Sequence, residues 1–126
     1  VILLGVSRTS KTPTSIYLAN RGYKTVNVPL VLDQKIPDGL ATNKKSCIVG
    51  LIAEPERLSD IRRNRVAIMN DHSLKEYTNL DSIKSEVENS KKLFKKNNWP
   101  IIDVTRRSVE ETAASILKII EIKKNR

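Results

Sequence analysis

The chain opens with the apolar run Val1-Ile2-Leu3-Leu4, followed at once by the polar stretch Gly5-Val6-Ser7-Arg8-Thr9-Ser10-Lys11-Thr12, here named the 5–12 loop. A short apolar run that ends at glycine is typical of a buried strand, and residues 12–20 are predicted to form a helix. A strand, a loop and a helix in this order are the setting of a phosphate-binding loop, G-x-x-x-x-G-K-[ST]. The spacing holds, but Ser10 stands where this pattern has its second glycine.

The 5–12 loop is therefore the candidate nucleotide site. Backbone N–H groups at a helix N-terminus attract anions, and the helix dipole favours negative charge there. In such a site Lys11 would reach the terminal phosphates, and the Thr12 hydroxyl would ligate Mg²⁺. Ser10 must then adopt the backbone angles that the glycine of the pattern usually takes, or the loop has a modified shape. The alternative is a polar loop whose serine and threonine side chains simply cap the helix.

Strands and helices alternate along the rest of the chain. Three further strands are predicted at residues 25–28, 46–52 and 99–104, and three further helices at residues 55–69, 80–96 and 108–123. The segments 30–45 and 70–79 read as loops. This alternation predicts an α/β fold in a single domain over residues 1–126, with a parallel sheet flanked by helices in three layers, as in phosphate-loop kinases.

Charged residues follow the last predicted strand. In open parallel sheets, ligands bind at the carboxyl ends of the strands. Arg106 and Arg107 lie just beyond such an end, and the guanidinium fork binds two phosphate oxygens. Asp103 ends the same strand. Its carboxylate could hold magnesium or orient a hydroxyl, and it could equally cap the following turn or pair with an arginine.

The helix that begins at Pro55 carries a second group of arginines, and Arg62, Arg63 and Arg65 are candidate ligands for phosphate or for a phosphorylated substrate. A solvated helix face is the alternative. Helical spacing places Leu58, Ile61 and Arg65 along one side of this helix and predicts that Arg62 and Arg63 lie beside that side.

The composition disfavours several classes of function. A net charge of +9 favours anionic partners. The few aromatic residues are scattered rather than interleaved with basic residues, which disfavours a base-stacking surface for nucleic acid. One cysteine and one histidine give little support for cysteine–histidine catalysis or a histidine-rich metal site. No apolar run approaches the roughly 18 residues of a membrane helix, so we expect no membrane partner and a cytoplasmic location.

Three segments together resemble one known family. They are Gly5-Val6-Ser7-Arg8-Thr9-Ser10-Lys11-Thr12-Pro13-Thr14-Ser15 with Tyr17-Leu18-Ala19, Pro55-Glu56-Arg57-Leu58 with Ile61-Arg62-Arg63-Asn64-Arg65, and Trp99-Pro100-Ile101-Ile102-Asp103-Val104-Thr105-Arg106-Arg107-Ser108 with Glu110-Glu111-Thr112-Ala113. They are similar to the bacterial and plastid regulatory proteins of pyruvate, phosphate dikinase and phosphoenolpyruvate synthase. The similarity covers essentially the whole chain, and this family's own loop has serine at the position of Ser10.

The resemblance implies a bifunctional enzyme. It would phosphorylate and inactivate the target at a threonine with ADP as donor, and it would remove that phosphate by attack of inorganic phosphate, releasing pyrophosphate. The 5–12 loop would be the ADP site. Lys11, Asp103, Arg106 and Arg107 are the catalytic candidates, and the target would be the dikinase or the synthase. The oligomeric state stays open, a homodimer included.

The resemblance also bears on the extent of the chain. Family members are about twice as long and have a further domain before the nucleotide loop. This chain, which begins with Val1 inside an apolar run, would then be the carboxyl-terminal catalytic portion. Two other functions remain as alternatives: a phosphate-loop kinase that acts on a small molecule, and a basic module that binds nucleic acid without catalysis.

Overall fold

The computed structural model describes residues 1–6, 8–30, 39, 46–69 and 79–124 of the chain. Strands and helices alternate through them. In chain order they are β1 (Ile2–Gly5), α1 (Lys11–Asn20), β2 (Val26–Pro29), β3 (Ile48–Ile52), α2 (Pro55–Met69), α3 (Leu80–Lys96), β4 (Ile101–Asp103) and α4 (Val109–Lys124). Ser7 and most of the predicted loops at 30–45 and 70–79 lie outside the described residues.

The four strands form one sheet in the order β2-β1-β3-β4, and all three pairings are parallel. Ile2 pairs with Val26 on one side of β1 and with Ile48 on the other. The chain passes from β1 to β2 on one side of β1, and then from β2 to β3 on the other side of β1. The strand order therefore reverses between β1 and β3. Sheets of this winding bind ligands in the crevice that opens at such a reversal, beyond the carboxyl ends of the strands.

Alternating strand residues supply two hydrophobic clusters, so both faces of the sheet are covered. Leu3, Val49, Leu51 and Ile102 share a cluster with residues of α1 and α4. A second cluster combines Leu4, Ile48 and Ile52 with Phe94 of α3. Helix α1 packs on α4, and α2 packs on α3. The predicted α/β architecture, a parallel sheet between two helical layers, is confirmed.

A glycine in β3 makes room for the largest core side chain of α3. The Phe94 ring is fully buried, and a Cβ atom at Gly50 would overlap its Cγ, Cδ2 and Cε2 atoms. Only a residue without a side chain lets α3 lie this close to the sheet. This contact fixes the distance between β3 and the helix that also packs on α2.

Local signals set the helix ends. The predicted capping box of α4 is present, since the Ser108 hydroxyl accepts from Glu111 N at 3.1 Å and Ser108 N donates to Glu111 Oε1 at 3.4 Å. The Asn79 side chain caps α3 by accepting from Ser82 N. Strand β4 is shorter than predicted, and Pro29 belongs to β2, which an edge strand tolerates. None of the helices formed by the described residues has the length and apolarity that crossing a membrane requires.

Candidate functional site

The 5–12 loop leaves β1 at a glycine that has no space for a side chain. A Cβ atom at Gly5 would lie 2.6 Å from Thr9 Oγ1 and 2.9 Å from the backbone oxygen of Leu51. Gly5 therefore lets the loop turn back over itself while β1 stays paired with β3. Thr9, which is fully buried, donates from Oγ1 to the Val6 carbonyl at 2.8 Å and closes the turn.

Two non-glycine residues of the loop have left-handed backbone angles. Arg8 has a φ of 71°, and Ser10 has a φ of 63° and a ψ of 26°. Ser10 thus takes a conformation for which glycine is favoured, as expected from its place in the pattern. Its side chain makes no capping hydrogen bond to α1, so the capping alternative finds no support at Ser10. Such a conformation in a serine is strained, and strain of this kind clusters at functional sites.

Lys11 is folded back onto the loop. Its Nζ donates to the Val6 carbonyl at 2.7 Å and lies 3.3 Å from Thr9 Oγ1. Burial, followed by the charges of Arg62 and Arg8, lowers the pKa of Lys11 from 10.5 to about 8. The ammonium group is therefore held among other cations, and a bound anion would relieve their repulsion.

Arg62 lies in the protein interior, contrary to the sequence-based prediction that placed it beside the buried side of α2. It is 1% exposed, and its Nη1 forms a 2.6 Å ion pair with Oε2 of Glu86 in α3. Arg63 and Arg65 are exposed on α2. The prediction was wrong about Arg65 and Arg62 because periodicity followed the apolar residues and carried no information about a carboxylate on another helix. Glu86 itself was missed, and only its position next to the apolar Val87 hints at partial burial.

The turn after β4 forms a small hydrogen-bond network. Asp103 Oδ1 accepts from Thr105 N at 2.9 Å and from Thr105 Oγ1 at 2.5 Å. Thr105 Oγ1 in turn accepts from Glu54 N at 2.8 Å, which ties this turn to the start of α2. Of the roles considered for Asp103, these contacts favour capping of the turn. Arg106 and Arg107 are exposed, and Arg107 Nη1 donates to the Ser115 hydroxyl of α4 at 2.8 Å.

The fold brings part of the predicted site together. The 5–12 loop follows β1, the Glu54 turn follows β3, and the Arg106 turn follows β4, so all three lie at the carboxyl edge of one parallel sheet. Arg8, Lys11 and Arg62 interact electrostatically at the reversal between β1 and β3. The Thr12 hydroxyl is exposed in the first turn of α1, whereas Arg63 and Arg65 lie further along α2, on its exposed side. In the described part of the chain, no group of three His, Cys, Asp or Glu residues could hold a metal ion.

The sequence is similar to proteins of one family. A profile of the kinase/pyrophosphorylase family matches residues 1–117. A protein of Pelagibacter ubique is 63% identical over 126 residues, which is 99% of this chain and 46% of that protein. One from Sinorhizobium medicae is 54% identical over 121 residues, 94% of this chain and 44% of that protein. Both bear the provisional name of a pyruvate, phosphate dikinase regulatory protein. The chain spans less than half of the length of these curated relatives.

Proposed function

This chain belongs to the kinase/pyrophosphorylase family, and on that premise we propose that its 5–12 loop binds the phosphates of ADP in a regulator of pyruvate, phosphate dikinase. The observation that carries the proposal is the geometry at the reversal between β1 and β3. Ser10 takes glycine-like angles before α1, and Lys11 is held with its charge next to those of Arg8 and Arg62. A phosphate group bound there would meet a helix N-terminus and several cations at once.

The first reaction phosphorylates the target. The hydroxyl oxygen of a threonine on the dikinase attacks the β-phosphorus of ADP, the bond from that phosphorus to the bridging oxygen breaks, and AMP leaves. The proton of the hydroxyl passes to a base or to solvent. In this step Lys11 holds oxygens of the β-phosphate, and the first-turn N–H groups of α1, which lack intrahelical acceptors, can donate to the same phosphate.

The second reaction removes the phosphate from the target, but it does not return that phosphate to AMP. An oxygen of inorganic phosphate attacks the phosphorus of the phosphothreonine, the bond to the threonine oxygen breaks, and pyrophosphate is released. Both reactions spread negative charge over a phosphoryl group in transit, so one set of cations can serve both. Arg106 and Arg107 are our candidates for holding the inorganic phosphate or the transferred group, and the exposed Arg63 and Arg65 are candidates for contact with the protein substrate.

Magnesium is compatible with this site. The exposed Thr12 hydroxyl at the start of α1 would supply one oxygen ligand, and phosphate oxygens and water would supply the others. The ion would neutralise charge on the phosphates. Asp103 is less suited to this role because Oδ1 already accepts two hydrogen bonds from Thr105. A cytoplasmic location completes the proposal, since this family acts on a metabolic enzyme and the chain has a single cysteine.

The proposal is tested by measuring the transfer of a labelled phosphate from ADP to the target protein. A chimera in which this chain replaces the matching segment of the Pelagibacter ubique relative is incubated with ADP labelled at the β-phosphate and with purified dikinase or, in parallel, phosphoenolpyruvate synthase. We expect label on a threonine of one target, and pyrophosphate release when the labelled target meets inorganic phosphate. The Lys11→Ala chimera should keep its fold and lose both activities.

Other outcomes would overturn the proposal. Labelling that requires ATP would make the protein an ordinary kinase. Transfer to a metabolite in place of either protein would support the small-molecule alternative. Binding to polyanions that falls steeply with salt and is not displaced by ADP would support the nucleic-acid module.

A further inference from the structure

The ion pair between Arg62 and Glu86 is an unusual element of the core. Arg62 is 1% exposed and the Glu86 side chain is 18% exposed, with 2.6 Å between their nearest atoms. Taking two charges out of water is costly, and apolar residues of similar volume often support a fold equally well. The packing of α2 on α3 therefore does not require this pair. Stability therefore does not explain why the guanidinium of Arg62 is buried.

The position of Arg62 indicates a functional reason for its burial. Leu58, one helical turn earlier on α2, packs in the same hydrophobic cluster as Val6 at the start of the 5–12 loop. Arg62 lies one turn later on the same buried side of α2. The charges of Arg62 and Arg8 both act on Lys11. Three cations thus share this part of the molecule, and Glu86 is the carboxylate in contact with one of them.

We propose that Glu86 is a positioning residue of the nucleotide site, which holds the Arg62 guanidinium as a fixed cation next to the 5–12 loop. The inference rests on the proposed function, and it assigns to Arg62 a part in stabilising the bound phosphate. An arginine side chain has many rotamers, and fixing them in advance avoids that entropic loss when the ligand binds. A cation that is already in place needs no reorganisation as charge develops on the transferred phosphate.

The test measures ADP binding to this chain by titration calorimetry. Glu86→Gln removes the charge of the anchor with little change in shape. Glu88→Gln is the matched control, because Glu88 lies on the same helix, is exposed and pairs with Lys91 at 3.7 Å in the neighbouring turn. We expect the control to bind ADP as the unsubstituted chain does, and Glu86→Gln to bind at least about tenfold more weakly.

A double variant separates positioning from structure. Arg62→Met combined with Glu86→Leu replaces the ion pair by apolar side chains, so its melting temperature should equal or exceed that of the unsubstituted chain. We expect it to bind ADP at least about tenfold more weakly. The pH at which ADP binding weakens should also move upward, because the charge of Arg62 would no longer add to burial and to Arg8 in lowering the pKa of Lys11.

The results distinguish three cases. Unchanged ADP affinity and unchanged pH dependence in a folded double variant would assign the pair to structure alone and overturn the inference. If Glu86→Gln does not fold, the double variant decides. Absence of ADP binding by the unsubstituted chain would instead refute the proposed function on which the inference rests.

Discussion

Raising the pH from 7 to 9 is expected to weaken ADP binding to this chain about tenfold. The pKa of Lys11 in the free protein is about 8, lowered chiefly by burial and then by Arg62 and Arg8. A bound phosphate favours the charged ammonium, so the pKa of Lys11 rises on binding. Binding therefore takes up a proton once the pH exceeds about 8. With a pKa of about 8, the charged fraction of Lys11 in the free protein falls from roughly nine-tenths at pH 7 to roughly one-tenth at pH 9. This tenfold change weakens the free energy of ADP binding by about 1.4 kcal/mol.

The assay is titration calorimetry at half-unit steps of pH, repeated in buffers of different ionisation enthalpy to count the protons taken up. The last ionisation of a phosphate group has a pKa of about 6, so it strengthens binding slightly just above pH 7 and adds little slope from pH 8 to 9. Lys11→Arg is the control, since a guanidinium stays charged at pH 9 and should flatten the profile. A flat profile for the unsubstituted chain, or an equal slope in the arginine variant, would show that Lys11 does not contact the phosphates.

Three further predictions concern the loop and the turn after β4. Gly5→Ala should destabilise the chain by about 2–3 kcal/mol in urea unfolding, because the new Cβ meets a backbone oxygen of β3, whereas Gly22→Ala, with positive φ but open surroundings, should lose only about 1 kcal/mol. Ser10→Gly should raise stability by roughly 0.5 kcal/mol by relieving the left-handed strain, and a lower melting temperature would contradict this. Arg106→Ala and Arg107→Ala should each reduce both phosphoryl transfer and pyrophosphate formation by roughly a hundredfold. Loss of only one activity would indicate two separate sites.

Local sequence signals predicted the strands, the helices and the loop. They did not predict contacts between residues that are distant in sequence. The run before Gly5, Pro55 at a helix start and the Ser108 capping box each act within a few residues, and the structure has each of these elements where it was predicted. The glycine-like angles of Ser10 followed from a pattern of eight residues. The burial of Arg62 depends on Glu86, which belongs to a different helix. No periodicity within α2 encodes that partner, and a charged residue is ordinarily expected at the surface.

The pairing of the strands has a consequence for how the chain folds. No strand of the described sheet has a partner close to it in sequence: Ile2 pairs with Val26 and Ile48, and Gly50 pairs with Ile101. Long-range parallel pairing of this kind closes large loops before any contact is rewarded, so formation of the sheet is slow compared with formation of the helices. The crevice at the reversal forms only when β3 docks beside β1. The binding of nucleotide in a refolding experiment would therefore report the late, long-range step, after the local helices have formed.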